Sequence, residues 1–400
     1  MDHNLRDALQ GLSNAPRIGP DPVPTDRVLS RIRRGRAVRG VATGALAAVL
    51  VGGAAAALTL PHNGARPVQG PEPTPSATRT SAPVPRPTAT PTPTPPAVPS
   101  PVALTAAGEL AELDPVTGAA VRTIASDPEW SGRVALSPDR TYAYVTALGD
   151  PADSQAPEVQ RVTLANGAVT TVASPGQDPA VSPDGTSLAY VAVDSSGVAS
   201  LEIMDLATGA VITVAPDQGP RAERVLVNPT WTPDSSAIVV GQGWADELPR
   251  VSLWEIEPRL TSTLEDGRRL DRDDAAGLAR DWDGAMAFTT DGALLAPAEE
   301  GTADQWDAMA AWAFGDGTAV NLPTSLVATL DLSTGTVTGR VAVPGVAWAV
   351  AASPGGGQDA EGATTLILVG ERGSAEPAAL YRLDGTTLTH LADGFTGIGW

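Results

Sequence analysis

Cysteine and lysine are absent from this chain of 400 residues, and histidine occurs only at His3, His62 and His390. Without cysteine there is no disulfide framework, no thiolate nucleophile and no Cys-ligated zinc. A Ser-His-Asp apparatus needs a histidine base; beyond residue 62 only His390 is available, in TTLTHLADG, and no Gly-x-Ser-x-Gly elbow accompanies it. Aromatic residues make up only 4% of the chain, yet nine of the sixteen are Trp. All 26 basic residues are Arg, alongside 37 Pro and 41 Gly, a usage that fits GC-rich bacterial coding.

The formal charge of −20 is unevenly spread. Residues 1–39 carry eight Arg and four Asp, whereas residues 102–400 carry 15 Arg against 41 acids. Such an acidic C-terminal part repels nucleic acid and anionic lipid surfaces, so no nucleic-acid partner is expected.

Residues 40–60, GVATGALAAVLVGGAAAALTL, hold no charge over 21 positions. As a helix they measure about 31 Å, enough for one membrane crossing. Arg31, Arg33, Arg34, Arg36 and Arg39 crowd their N-terminal side. The positive-inside bias therefore predicts a cytoplasmic tail at 1–39, a transmembrane helix at 40–60 and everything later outside the cell membrane. The competing reading is a cleaved signal peptide, with AAAA at 54–57 near the cleavage point; a charged leader of 39 residues argues for the anchor. Gly40, Gly44, Ala48, Gly52 and Ala56 form a small-residue stripe, though 12 of the 21 residues are Ala or Gly and a stripe arises by chance. Residues 61–101 contain 14 Pro, seven Thr and three Ser. Proline supplies no backbone donor, so this segment is expected to be a disordered, extended stalk.

The remainder repeats. In DPAVSPDGTSLAYVAVDSSGVASLEIMDLATGAVITVA, residues 178–215, four short apolar strands are separated by Ser-Pro-Asp-Gly, DSSG and ATG turns. Proline sets φ, aspartate caps and glycine admits positive φ, so these are turns with a mechanism. Four antiparallel strands in this span make one propeller blade. The first turn recurs at Ser137-Pro138-Asp139, Thr232-Pro233-Asp234, Thr290-Asp291-Gly292 and Ser353-Pro354-Gly355. The last turn recurs at Asp114…Thr117-Gly118, Asn166-Gly167, Glu257-Pro258, Asp331…Thr334-Gly335 and Asp384-Gly385. One first strand is therefore missing from the start of the series. The final FTGIGW, ending at Trp400, supplies it and pairs with the strands at 102–125, closing the ring without a long open edge.

The SPDG…AYV…DLATG blades resemble those of the six-bladed TolB-type β-propeller, with WD-repeat-like units, over residues 102–400. The resemblance implies an all-β, six-bladed propeller domain at 102–400, following the anchor and stalk, and a binding or scaffolding role at the bacterial envelope. A fold so widely used leaves open two further roles: a ligand sensor signalling through the cytoplasmic tail, or an enzyme acting on a sugar or cell-wall polymer.

No catalytic, cofactor or metal residue is assigned from the sequence. His390 is read as a surface or inter-blade residue, and the SPD serines as turn residues. Residues 264–284 place Asp266, Asp271, Asp273, Asp274, Asp281 and Asp283 in one connection where Ca²⁺ is conceivable. The EF-hand spacing is not met, and four interleaved Arg suit a salt-bridged loop. Trp231, Trp348 and Trp400 fall on first strands, as inter-blade wedges. Trp244 with Asp246, and Trp306, Asp307 and Trp312, fall in insertions between second and third strands. Loops on a rigid scaffold carry recognition, and these five residues are the candidate contact for an envelope protein or glycan.

Overall fold

The structure, a computed structural model, describes residues 99–148, 156–194, 198–214, 224–244, 251–258, 263–270, 279–282, 284–289, 291–314, 322–353, 364–372 and 376–400. The tail, the apolar run at 40–60 and the stalk up to residue 98 lie outside the described residues. Among the described residues no helix is long and apolar enough to cross a membrane.

Alternation of apolar and polar side chains, broken by Gly-containing turns, produces antiparallel meanders. Strands β4 (Trp130–Leu136), β5 (Tyr142–Ala147), β6 (Glu158–Thr163) and β7 (Val169–Ala173) form one sheet in sequence order. The next contains β8 (Gln177–Val181), β9 (Ser187–Val193), β10 (Ala199–Asp205) and β11 (Val211–Val214). A third holds β12 (Arg224–Trp231), β13 (Ile238–Trp244), β14 (Val251–Ile256) and the short β15 (Arg268–Arg269). The fourth is built on β18 (Leu294–Gly301), β19 (Thr324–Asp331) and β20 (Thr336–Ala342); β16 (Ala279–Asp281) and β17 (Ala287–Phe288) both pair with β18. The helix α1 (Ala303–Phe314) is inserted between β18 and β19.

The last sheet has seven strands. It runs β21 (Val346–Ala352), β22 (Thr365–Gly370), β23 (Ala378–Asp384), β24 (Thr387–Gly399), then β1 (Val102–Thr105), β2 (Glu109–Leu113) and β3 (Ala120–Ser126). The early part of β24 pairs with β23, and its end pairs with β1 through Leu104↔Gly397, Ala103↔Ile398 and Val102↔Gly399. Gly394, at φ 98°, marks the joint between the two halves. The expected pairing of FTGIGW with residues 102–125 is thus realised. Phe395 and Ile398 are buried, each contributing about 1.5–3 kcal/mol. Apolar clusters join each sheet to the next, and one of them joins Ala103, Ala111 and Leu113 near the start to Leu366, Leu380 and Ile398 near the end. The fold is an all-β propeller with its core distributed between the sheets.

The recurring turns work as the motif implies. The Ser137 hydroxyl donates to Asp139 at 2.6 Å and accepts from the amides of Thr141 and Tyr142, starting the second strand. Ser182 and Thr232 repeat this with Asp184 and Asp234. In the fourth sheet the motif sits one residue earlier than read from the sequence. Thr289, not Thr290, takes the serine's place, donating to Asp291 and accepting from the Ala293 amide. The later turns use Asp114 and Asp205 as acceptors for two successive amides, each followed by a glycine at φ near 70°.

Two predictions follow from closure and turns. A Cβ at Gly397 would lie 1.8 Å from the Gly132 carbonyl oxygen, because β24 presses on β4. Gly397→Ala should therefore lower unfolding stability by at least ~1–3 kcal/mol in denaturant titration. Gly385→Ala is the contrast: a Cβ there meets nothing within 4 Å, although its φ of 61° adds strain. Hydroxyl donors hold Asp139, Asp184, Asp234 and Asp331 below the ordinary carboxylate range, and backbone amides do the same for Asp114 and Asp205. Depressed folded-state values contribute stability above the unfolded-state value and lose it as pH falls through the folded one. The thermal midpoint should hold on the neutral side and fall below about pH 4.

Candidate functional site: the axial cavity

First strands of a propeller run beside its axis. The ends of β4, β8, β12, β17, β21 and β24, with the turns after them, line a cavity of about 570 Å³. Connections in a meander alternate between two faces. The Ser-Pro-Asp turns lie on one, which is also the cavity mouth, and the β18–α1–β19 insertion lies on the other. The described chain begins on the mouth face: the Trp400 indole donates to the Pro99 carbonyl at 2.7 Å, and Arg140 donates to that of Ser100.

Bulges shape the inner end. Pairing skips residues 132–133 in β4, 178–179 in β8 and 228–229 in β12. Gly132, Asp178 and Asn228 adopt positive φ of 76°, 53° and 53° there. A bulge leaves its residues out of the ladder and re-aims them. Arg133 uses this freedom to cross the axis. Its guanidinium donates to the Pro229 carbonyl and, at 3.5 Å, to that of Met286. Thr230 also points its hydroxyl at the Met286 carbonyl, at 3.4 Å. Asp178, 5% exposed, receives the Asn228 amide at 3.4 Å while its own amide donates to the Thr146 hydroxyl at 3.1 Å. Burial lowers Arg133 to about 10, opposed by the charge of Asp178, so it stays cationic at neutral pH. Burial pushes Asp178 up, opposed by the Asn228 amide and by Arg133. One arginine thereby ties β4 to β12 and to the segment at Met286.

The mouth is ringed by Pro99, Pro138, Pro183, Pro233 and the indoles of Trp231 and Trp400. Arg140 stands at this rim, its value lowered by burial and raised by the charge of Glu112. Of the described residues lining the cavity, Arg133 and Arg140 are charged and none is a carboxylate. The lining hydroxyls of Ser137, Ser182 and Thr289 are committed to their turn aspartates.

The tryptophans divide. Trp231 is 7% exposed and donates to the Ala180 carbonyl at 3.1 Å, bridging adjacent sheets. Trp348 packs over Gly370, where a Cβ would sit 2.2 Å from the indole. Of the five candidate contact residues, Trp306 is 3% exposed in α1 and donates to the Gly301 carbonyl at 3.1 Å. That indole anchors the inserted helix. Asp307 is exposed beside it. Trp244 ends β13 and Trp312 lies in α1, but their side chains and the whole of Asp246 lie outside the described residues. His390 is on the outer surface, 2.9 Å from Asp393 and edge-on to Tyr381. Of the acidic connection, Asp266 caps a short 3₁₀ turn through Thr263, and Asp281 is buried, accepting the Val251 amide at 2.7 Å. Asp271, Asp273, Asp274 and Asp283 lie outside the described residues; among those described no cluster of three metal-type ligands occurs.

Arg133, Arg140 and Asp178 were not singled out from the sequence. Asp178-Pro179 and Asn228-Pro229 each stand four residues ahead of a turn Ser or Thr, and that repeat was the available signal for the bulges.

TolB from Acinetobacter baumannii superposes with a TM-score of 0.52 at 18% identity, over 75% of this chain and 65% of that one. The fold is a β-propeller similar to that of TolB. This chain thus spans somewhat less than two thirds of that TolB. A putative TolB from Agrobacterium tumefaciens gives a TM-score of 0.47 at 15% identity, over 69% of this chain and 86% of that one. A puromycin-hydrolyzing peptidase of Mycobacterium tuberculosis gives 0.41 at 16% identity, over 72% and 42%. No protein-family model and no curated protein matches the sequence.

Beneath α1, the TolB-type propeller buries acids on the insertion face. Glu299, 1% exposed, meets Arg372 at 2.7 Å, and Glu300 meets Arg280 at 2.8 Å and Arg340 at 3.2 Å. Arg372 also donates to the Pro323 carbonyl at 3.1 Å, tying the insertion to the adjacent sheet. Removing one partner of a buried pair strands the other, so Arg372→Met should cost about 3–5 kcal/mol in chemical denaturation. Arg340, whose side chain is 42% exposed, should lose no more than about 1 kcal/mol in Arg340→Met.

Proposed function

We propose that this chain is a single-pass, membrane-anchored propeller of six blades that binds or scaffolds a partner at the outer side of a bacterial envelope and performs no catalysis. Six blades result when β24 is read as shared between two of them, its early part the outermost strand of one and its end the innermost of the next. The observation that carries the functional reading is the separation of the two faces. The described residues start at Pro99 on the mouth face. The longest insertion, with α1, rises from the opposite face. An irregular insertion on a rigid scaffold is suited to recognition. The apolar 40–60 run and the arginines before it support the anchor and its orientation.

The recognition surface is assigned to the insertion face, with Trp244, Asp246, Asp307 and Trp312 as contacts and Trp306 as the internal post. The lining of the axial cavity, two arginines with turn-bound hydroxyls, supports binding over hydrolysis. The likeness to TolB supports a protein partner in general; its place at the envelope, and a glycan in its stead, belong to the proposal.

Two measurements test the reading. External protease on intact cells should remove the propeller and leave a small anchored stub; a protected propeller reverses the topology. Capture from envelope fractions by the full chain should weaken by about 2 kcal/mol or more, roughly thirtyfold, in Trp244→Ala or Trp312→Ala. Trp306→Ala should instead lower stability by about 3–5 kcal/mol. Capture unchanged in both of the first two variants moves the partner site elsewhere.

A further inference from the structure

We propose that the axial cavity is a binding site for a small amphipathic carboxylate, an apolar body carrying one anionic head. This rests on the non-catalytic binding reading and adds a ligand class and a second site, on the face opposite the insertion.

Size comes first. A cavity of about 570 Å³ falls in the range of roughly 300–1,000 Å³ that encloses small organic ligands. Its walls are apolar, with Val134, Val181, Trp231, Phe288, Val350 and Ile398 contributed by separate segments. Such a surface takes an apolar body by burial of area.

Charge selects the head. Residues 102–400 carry 41 acids against 15 arginines, yet among the described residues the two charged side chains lining the cavity are both arginines. An anion elsewhere on this surface meets repulsion; inside the cavity it meets attraction in a medium of lower dielectric. Neither arginine is fully used. Arg133 is held by two neutral carbonyls, the second only at 3.5 Å, and buried Asp178 balances its charge without a direct ion pair. Arg140 spends one nitrogen on the Ser100 carbonyl, and its Nη1 is buried with no hydrogen-bond partner among the described residues. A buried donor left unmade is costly, and a carboxylate oxygen that reaches it as the rim side chains adjust removes that cost. Arg133 sits at the floor and Arg140 at the rim, four strand residues and a turn apart. The head can pair with either while the body fills the Pro- and Trp-lined space between them.

The fixed position of both guanidiniums matters. Arg133 is braced across the axis by β12 and the Met286 carbonyl, and Arg140 by the chain at Ser100, so little side-chain entropy remains to be lost on pairing. A cation is opposed by the same two charges, and a neutral alcohol accepts from Arg140 but brings no charge to pair with it.

The test uses the full chain in lipid nanodiscs, with empty nanodiscs as blank, and three probes of one shape: 4-phenylbutyrate, 4-phenylbutanol and 4-phenylbutylamine. Trp231 and Trp400 line the cavity, so intrinsic fluorescence and calorimetry both report occupancy. The expected result is saturable binding of the carboxylate, at least about tenfold tighter than the alcohol, with the amine weaker still. Arg140→Gln should weaken the carboxylate by about tenfold and leave the alcohol unchanged. Arg133→Met is a second probe; because it also removes a brace, its melting curve is read beside its affinity, and Arg140→Gln decides if it fails to fold. No saturable carboxylate binding, equal binding of carboxylate and alcohol, or unaltered carboxylate binding in Arg140→Gln overturns the proposal. Envelope capture through the insertion face is measured on a different surface, so either result can fail while the other stands.

Discussion

Every other feature of this propeller depends on the pairing of β24 with β1. A circular array of sheets has no termini in space, but the chain that builds it has two, and an unpaired edge at their meeting point would expose backbone donors and acceptors. Here the end of the chain supplies the innermost strand of the sheet that the early strands began. The pairing is made possible by glycine. At Gly397 and Gly399 the backbone of β24 lies so close to β4 that any side chain would strike a carbonyl. The cluster that unites Ala103 and Leu113 with Leu380 and Ile398 then spreads that closure into side-chain packing.

Closure also creates the axial cavity. The strand ends that line it converge only when the ring is closed, and the bulges at 132–133, 178–179 and 228–229 give them inward-directed groups. Arg133 is a consequence of that convergence: its partners, the carbonyls of Pro229 and Met286, are 96 and 153 residues away in sequence. It narrows the floor, braces segments of different sheets and brings positive charge to the centre of an acidic domain.

The two faces divide the work. Turn aspartates on the mouth face are consumed in local hydrogen bonding, which makes that face regular and rigid. The opposite face carries the irregular connections, and there the buried Glu299–Arg372 pair and the Trp306 indole hold an inserted helix against the disc. Rigidity on one side and variation on the other is how a repeat scaffold acquires a specific surface without loss of its fold.

The strand pattern, the turn chemistry and the final closing strand were legible in the sequence because each is local. A Ser-Pro-Asp turn is settled by its own hydroxyl and carboxylate, a strand by alternation, and the closing strand by a count of turns that left one place empty. The one-residue slip at Thr289 shows the limit, since Thr289 and Thr290 are chemically alike and only pairing of β17 with β18 selects between them. The candidate sites were less legible. Trp306 reads as an exposed contact because an insertion has no periodicity against which to measure burial; tertiary packing turned it inward. Asp281 reads as part of a solvated acidic loop, yet a backbone amide from β14 claims it. The cavity arginines were invisible for the same reason. What a side chain at a bulge meets is set by strands distant in sequence, 96 and 153 residues away for Arg133. Local chemistry determined the blades; only the closed ring decided what they face.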